Sequence, residues 1–258
     1  MEKKNAAIIT GAGSGLGKEF TKILAGDASL DEIYVLGRNE EKLNSLKSEL
    51  GEKIKPYIID LSVTDKIKEF GKFLENQNIN LKILVNNAGF AKFCSYDDIS
   101  LDESLNMINL NVCGVVTMGL VCIPFMSSGS HIINISSQAS FQPVPYMNIY
   151  GATKSFVKNY SRALNIELKE KGITVTAVCP GWIKTNLFER GCINAKKAPN
   201  NFNFMVMPED VAKKSLNDAY AGKDISIYGL YPNFCHVFAK ILPEKIIMKI
   251  WLLMQNIK

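Results

Sequence analysis

Short apolar runs bounded by turn residues alternate with stretches in which apolar positions recur at helical spacing. Ala6–Thr10, Glu32–Leu36, Lys55–Ile59, Leu81–Val85, His131–Ile135, Ile173–Val178 and Ile225–Tyr228 are predicted as strands. Most are near-continuously apolar, as befits strands covered on both faces. Between them, Phe20, Ile23 and Leu24 fall on one helical face, and Lys68 to Gln77 continues a helical pattern. Ser100 with Glu103 forms a capping box that opens a long helical pattern from Leu101 towards Met126. Pro208 suits the first turn of a helix reaching Tyr220. The alternation predicts an α/β fold: a single doubly wound Rossmann domain over residues 1–258, with a mostly parallel sheet of about seven strands flanked by helices. Residues 188–206 show little periodicity and many Asn, with Gly191, Lys196 and Lys197 among them, and are expected to form a lid. Residues 234–258 predict an apolar helical segment whose last helix, from Pro243, is too short to span a bilayer.

Composition narrows the function. A chain of 258 residues suits one domain with a sizeable core. Its net charge of +5 is spread among alternating acids and bases with no basic run, which speaks against a nucleic-acid partner. The six cysteines form no C-x-x-C and none stands at metal-ligand spacing with His131 or His236, so free thiols and no metal site are expected. The short charged N-terminus lacks a signal-peptide pattern, and no run of about 18 uncharged apolar residues stands out. A cytoplasmic protein is the expectation.

The chemistry is carried by a few stretches. Gly11-Ala12-Gly13-Ser14-Gly15-Leu16-Gly17 follows the first strand and opens a helix. Bare backbone and a helix N-terminus together cradle a pyrophosphate. Arg38 follows the second strand, where a carboxylate would select a ribose 2′-hydroxyl; a guanidinium suits a 2′-phosphate instead. A surface pairing of Arg38 with Glu40 or Glu41 is the rival reading. Asn86-Asn87-Ala88-Gly89 ends the fourth strand, at the edge where open parallel sheets bind ligands. Tyr150 and Lys154 lie one helical turn apart; an ammonium beside a phenol is expected to lower its pKa and make it a usable acid or base.

These stretches together resemble the short-chain dehydrogenase/reductase family: Thr10-Gly11-x-x-x-Gly15-x-Gly17, Asn86-Asn87-Ala88-Gly89, Asn111-Val112-Cys113-Gly114, Ser137 thirteen residues before Tyr150, Tyr150-x-x-x-Lys154, and Pro180-Gly181 with Thr185. The resemblance implies an NAD(P)-dependent oxidoreductase in which hydride passes between nicotinamide and a secondary alcohol or ketone. Tyr150 would exchange the proton, Lys154 would tune it and hold the ribose, and Ser137 would bind the substrate oxygen. Asn111 would hold a water in a proton relay, with Asn109 as a competitor that lacks the following V-x-G. Gly11, Ser14, Gly15, Leu16 and Gly17 would hold the pyrophosphate and Arg38 the 2′-phosphate. Asp60 and Leu61 would flank the adenine, Asn87, Ala88 and Gly89 the adenosine side, and Ile183 and Thr185 the carboxamide. NADP is favoured; Ser14, where the family often has a basic residue, leaves NAD use open.

Phe90–Tyr96, Ala139–Met147 and the lid are expected to wall the substrate site, with Phe141, Val144, Tyr146, Met147, Phe202, Phe204 and Met205 making it apolar. A bulky hydrophobic, hydroxysteroid-like substrate follows, with an acyl-chain (3-oxoacyl) reductase, a non-catalytic NADP-binding regulator and a lipid-surface scaffold as alternatives. The resemblance also implies a homodimer or homotetramer through helices over Leu101–Met126 and Thr153–Lys169. The last helix could cover the substrate mouth, meet a partner subunit or lie on a membrane with Lys240, Lys245 and Lys249 at the rim; the soluble options are favoured.

Overall fold

Strands with no polar face have to be covered on both sides, and the central strands of the sheet are. The computed structural model describes residues 2–257. Its strands are β1 Lys4–Thr10, β2 Glu32–Gly37, β3 Ile54–Ile58, β4 Ile79–Asn86, β5 Met126–Ile135, β6 Thr174–Val178 and β7 Ile225–Ser226. They form one parallel sheet in the order β3-β2-β1-β4-β5-β6-β7. The helices are α1 Gly15–Ala25, α2 Glu40–Leu50, α3 Thr64–Glu75, α4 Leu101–Ile108, α5 Val115–Cys122, α6 Asn148–Glu167, α7 Leu187–Gly191, α8 Pro208–Tyr220, α9 Leu230–Ile241 and α10 Glu244–Met254. Alternate strand residues point to opposite faces. Ala7 and Ile9 of β1 therefore meet Phe20 and Leu24 of α1 and Leu216 of α8. Ala6 and Ile8 meet the other layer, with Phe70 of α3, Met118 of α5 and Leu164 of α6. The predicted doubly wound sheet is the observed one.

Boundaries moved where polar residues hid the pattern. β5 begins at Met126, five residues before His131, because Ser130 is buried and donates its hydroxyl to Leu81 O at 2.8 Å. β7 keeps only Ile225–Ser226. The capping box is half made: the Glu103 N–H donates to Ser100 Oγ, while the Glu103 carboxylate pairs with Lys92. Helix runs from Leu101 to Phe125 with wider, i→i+5 turns over Asn109–Gly114. This helix is long and apolar enough to cross a membrane by length and composition, which corrects the reading that no such stretch exists. Here it packs on the sheet, with Val115, Met118 and Cys122 in the interior.

The strand order reverses between β1 and β4, and this is where a crevice opens in such sheets. Thr10 holds the two strand ends together. Its buried hydroxyl donates to Val85 O and accepts the Asn87 and Ala88 N–H groups at 2.9 and 3.0 Å. Thr10→Val keeps the shape and removes that acceptor. Stability should fall by about 2–4 kcal/mol, since two amide donors lose their partner, and urea unfolding midpoints at unchanged slope would check it.

Candidate active site

The turn after β1 is shaped by two glycines. Gly11 has φ +65°, and a Cβ there would lie 2.9 Å from Ala88 Cα. A Cβ on Gly17 would lie 2.3 Å from the Gly11 carbonyl oxygen. The turn is thus drawn tight against Asn87, whose Nδ2 donates to the Thr10 and Gly11 carbonyls. Gly11, Ser14, Gly15 and Leu16 line a cleft of about 720 Å³ at the carboxyl ends of the strands. Gly17 does not line it; its role is this close packing.

The same cleft gathers Arg38, Asp60, Leu61, Asn87, Ala88, Gly89, Ser137, Tyr150, Lys154, Ile183 and Thr185 from six separate stretches of chain. At one end Arg38 is mostly exposed and its guanidinium lies 3.9 Å from Asp60, not beside Glu40 or Glu41. Burial works against the Asp60 carboxylate, yet the Ser62 hydroxyl and N–H, with Arg38 and Lys66, hold its pKa below the usual range. Lys42 also lines this end, a second cation that sequence reading passed over as one more residue of a charged helix. The cleft, with polar and apolar groups in its wall, the tight glycine turn and the cations at its end fit a dinucleotide.

At the other end β5 stops at Ile135, and Ser136, Ser137 and α6 follow. Lys154 is buried, donates from Nζ to Ile135 O at 2.8 Å, and accepts the Ser136 hydroxyl on its own carbonyl at 2.7 Å. Burial lowers its pKa to about 8. Tyr150 is buried too, with Phe93 edge-on at 5.8 Å. Burial raises its pKa to about 12 although a hydrogen bond from Ser137 pulls the other way. The expectation that Lys154 would lower the tyrosine is therefore not met. The ammonium lies 5.7 Å from the phenol ring centroid and spends its bond on Ile135, so desolvation governs both groups.

Asn111 sits in the widened helical turn and is fully buried beneath the cleft, not in its wall. Its Oδ1 accepts the Phe90 N–H, and its Nδ2 donates to Phe90 O and Thr153 Oγ1. Both amide hydrogens are committed, so any relay through Asn111 has to run through an acceptor oxygen. A Cβ on Gly89 would lie 2.9 Å from Asn111 Oδ1 and 3.5 Å from Lys154 Nζ, so only glycine passes between them.

Ser137 also stands in the wall of a second space, an apolar chamber of about 210 Å³ between the lid and the C-terminal helices. Val144, Met147, Trp182, Phe204, Phe234 and Trp251 are among its walls, and among the described residues no charged side chain is. Phe202, Trp182 and Phe188 pack edge-on or tilted, about 5.1 Å apart, beside Phe93. Of the seven apolar wall residues named from the sequence, Val144, Met147 and Phe204 line the chamber; Phe141, Tyr146, Phe202 and Met205 do not, and neither does Tyr96. Phe141 packs on His236, Met205 is exposed, and Tyr96 is almost wholly exposed because the turn carrying it faces solvent. Trp251 and Gln255 were missed, since their contacts span over fifty residues of chain. Trp251 Nε1 donates to Pro145 O, and buried Gln255 accepts the Asn200 and Asn201 N–H groups and donates to Asn201 O.

Comparison with known proteins agrees with this geometry. The family model described as short chain dehydrogenase matches residues 5–192. A protein named uncharacterized oxidoreductase from Staphylococcus epidermidis is 30% identical over 189 residues, 72% of this chain and 81% of that one. The closed form of a serine dehydrogenase complexed with NADP+ superposes with a TM-score of 0.77 at 29% identity, over 86% of this chain and 94% of the other. A Burkholderia phymatum short chain dehydrogenase/reductase in complex with NAD, at 20% identity, has the same fold, with a TM-score of 0.79 over 96% and 95% of the two chains.

The buried ammonium carries a measurable cost. With its pKa lowered to about 8, Lys154 binds its proton more weakly folded than unfolded. Stability should therefore rise with pH from about 8 towards the ordinary lysine value. Lys154→Met should stabilise the protein at pH 7 by on the order of 2 kcal/mol, and the gain should fade above pH 8; thermal unfolding from pH 7 to 10 checks this.

Proposed function

The chain belongs to the short-chain dehydrogenase family, and from that premise we propose that it interconverts a secondary alcohol and a ketone on a bulky apolar substrate, with NADP as the favoured partner and Tyr150 as acid or base. The observation that carries this is the position of Ser137, in the wall of both the polar cleft and the apolar chamber. A substrate lying in the chamber would present its oxygen at that boundary, where Ser137 and Tyr150 stand together. The Ser137 hydroxyl would donate to the oxygen and stabilise negative charge developing on it.

Nicotinamide supplies the hydride when bound. Tyr150 would hold or release the proton at its phenol oxygen. Burial keeps the phenol protonated, and positive charge arriving in the cleft would favour the phenolate and bring its pKa down towards a working range. Lys154, with a pKa near 8, would exchange its own proton near neutrality and hold the ribose through donors not used on Ile135. Gly11, Ser14, Gly15 and Leu16 would cradle the pyrophosphate, Arg38 and Lys42 the 2′-phosphate, Asp60 and Leu61 the adenine, and Ile183 and Thr185 the carboxamide. The aromatic and aliphatic lining of the chamber, with no charged group among the described residues, favours steroid-like or acyl-chain carbonyls over sugars and anionic substrates.

Two results are expected. Tyr150→Phe should bind NADPH as the parent does while turnover of apolar ketones falls roughly 10²–10⁴-fold; normal turnover in that variant would refute the acid–base role. Arg38→Ala should raise KM for NADPH roughly tenfold or more and leave KM for NADH unchanged, as measured by cofactor oxidation with one ketone at saturation.

A further inference from the structure

Helix α9 carries a stripe that faces water and is apolar throughout. Leu230, Phe234, Val237 and Ile241 recur one helical turn apart; Leu230 is 93% exposed, Phe234 58% and Ile241 72%. On α10, Ile246, Ile250 and Leu253 repeat the pattern, with Leu253 77% exposed. Surface helices ordinarily turn such a stripe inward. Here the inward residues are a second set, Tyr231, Cys235, Ala239, Ile247 and Trp251, which line the chamber. Phe204, Phe234, Phe238, Ile250 and Met254 both line the chamber and are exposed, so they mark its mouth. The mouth thus opens in the middle of an exposed apolar surface contributed by two helices and the lid. Contiguous patches of this kind mark interaction sites.

Charge selects the occupant. Lys240, Lys245 and Lys249 are exposed on these helices, against the single acid Glu244. Lysines bordering an apolar helical face suit a surface of anionic lipid headgroups over acyl chains. A second copy docked isologously on the same face would set the lysines of the two copies near one another and seal the mouth. A bilayer satisfies the lysines and leaves the mouth open to the hydrocarbon phase.

We propose that α9, α10 and the Phe204 loop form a membrane-docking face that seats the chamber's mouth on an anionic lipid surface. This goes beyond the redox reading and does not depend on turnover. The test uses the full-length protein with vesicles of phosphatidylcholine alone or with one quarter phosphatidylserine, followed by flotation. Wild type should float with the anionic vesicles and more weakly with the neutral ones. Replacing Leu230, Ile241 and Leu253 together by Gln, none of which lines the chamber, should cut partition at least about tenfold on both compositions. Replacing Lys240, Lys245 and Lys249 together by Gln should weaken binding to anionic vesicles by roughly fivefold per lysine at low salt and leave neutral vesicles unaffected. Both variants should retain NADPH binding, which certifies their fold. Wild type that floats with neither composition, or an apolar-face variant that floats as well as wild type, overturns the proposal. So does an apolar-face variant that dissociates an oligomer while wild type fails to float, which would give the face to a second copy.

Discussion

One ammonium held out of water organises the centre of this protein. Lys154 donates to the last carbonyl of β5 and takes the Ser136 hydroxyl on its own, so the end of the strand and the start of α6 are fastened through a single residue. A charge there is expensive, and its surroundings are built to admit it. The helix opposite widens over Asn109–Gly114, which turns Asn111 inward to fasten the Phe90 backbone, and Gly89 leaves the gap that any Cβ would close. Such widened turns recur at functional sites. The result is a lysine that gives up its proton easily beside a tyrosine that holds its own tightly, the reverse of their ordinary difference.

Much of this was legible in the sequence because it is local. A strand, a glycine turn and a helix are contiguous in Ala6–Leu24, and the i, i+4 spacing of Tyr150 and Lys154 needs only a helix to bring them to one face. Parallel strands buried on both sides advertise themselves as apolar runs, so the sheet could be drafted before its order was seen. The direction of the Tyr150 shift was not legible, because it depends on desolvation, and burial is a property of the assembled fold. Nor was the closure of the chamber. Gln255 meets Asn200 and Asn201, and Trp251 meets Pro145, across separations no local pattern records. Lys42 hid for the opposite reason: on a charged helix nothing local distinguishes a cation that faces a cleft from one that faces only water.

The lid is irregular in sequence yet held at several points. The Phe93 N–H donates to Gly191 O, the Lys196 N–H to Asp98, and Val206 pairs with Trp182 and Ile183. With Gln255 at the far end, the loop is tied to the β4–α4 connection, the β6 exit and α10. A segment with few periodic signals can still be well placed when its backbone groups find partners elsewhere. This explains how an irregular stretch with four Asn roofs an apolar space.

Two unlike environments meet at Ser137 and Trp182, and that junction is what the fold exists to make. On one side the strand ends and the α1 N-terminus offer N–H dipoles and cations suited to a phosphorylated ligand. On the other, aromatic and aliphatic walls exclude water. Electrostatic interactions strengthen as the local dielectric falls, so on the proposed reading a hydroxyl and a phenol at the boundary would act on a substrate oxygen more strongly than they would deep in the cleft. On that reading the apolar side would therefore select what enters and also sharpen the polar groups that meet it. The packing of α9 and α10 would then belong to the active site for this reason, although neither helix would carry a reacting group.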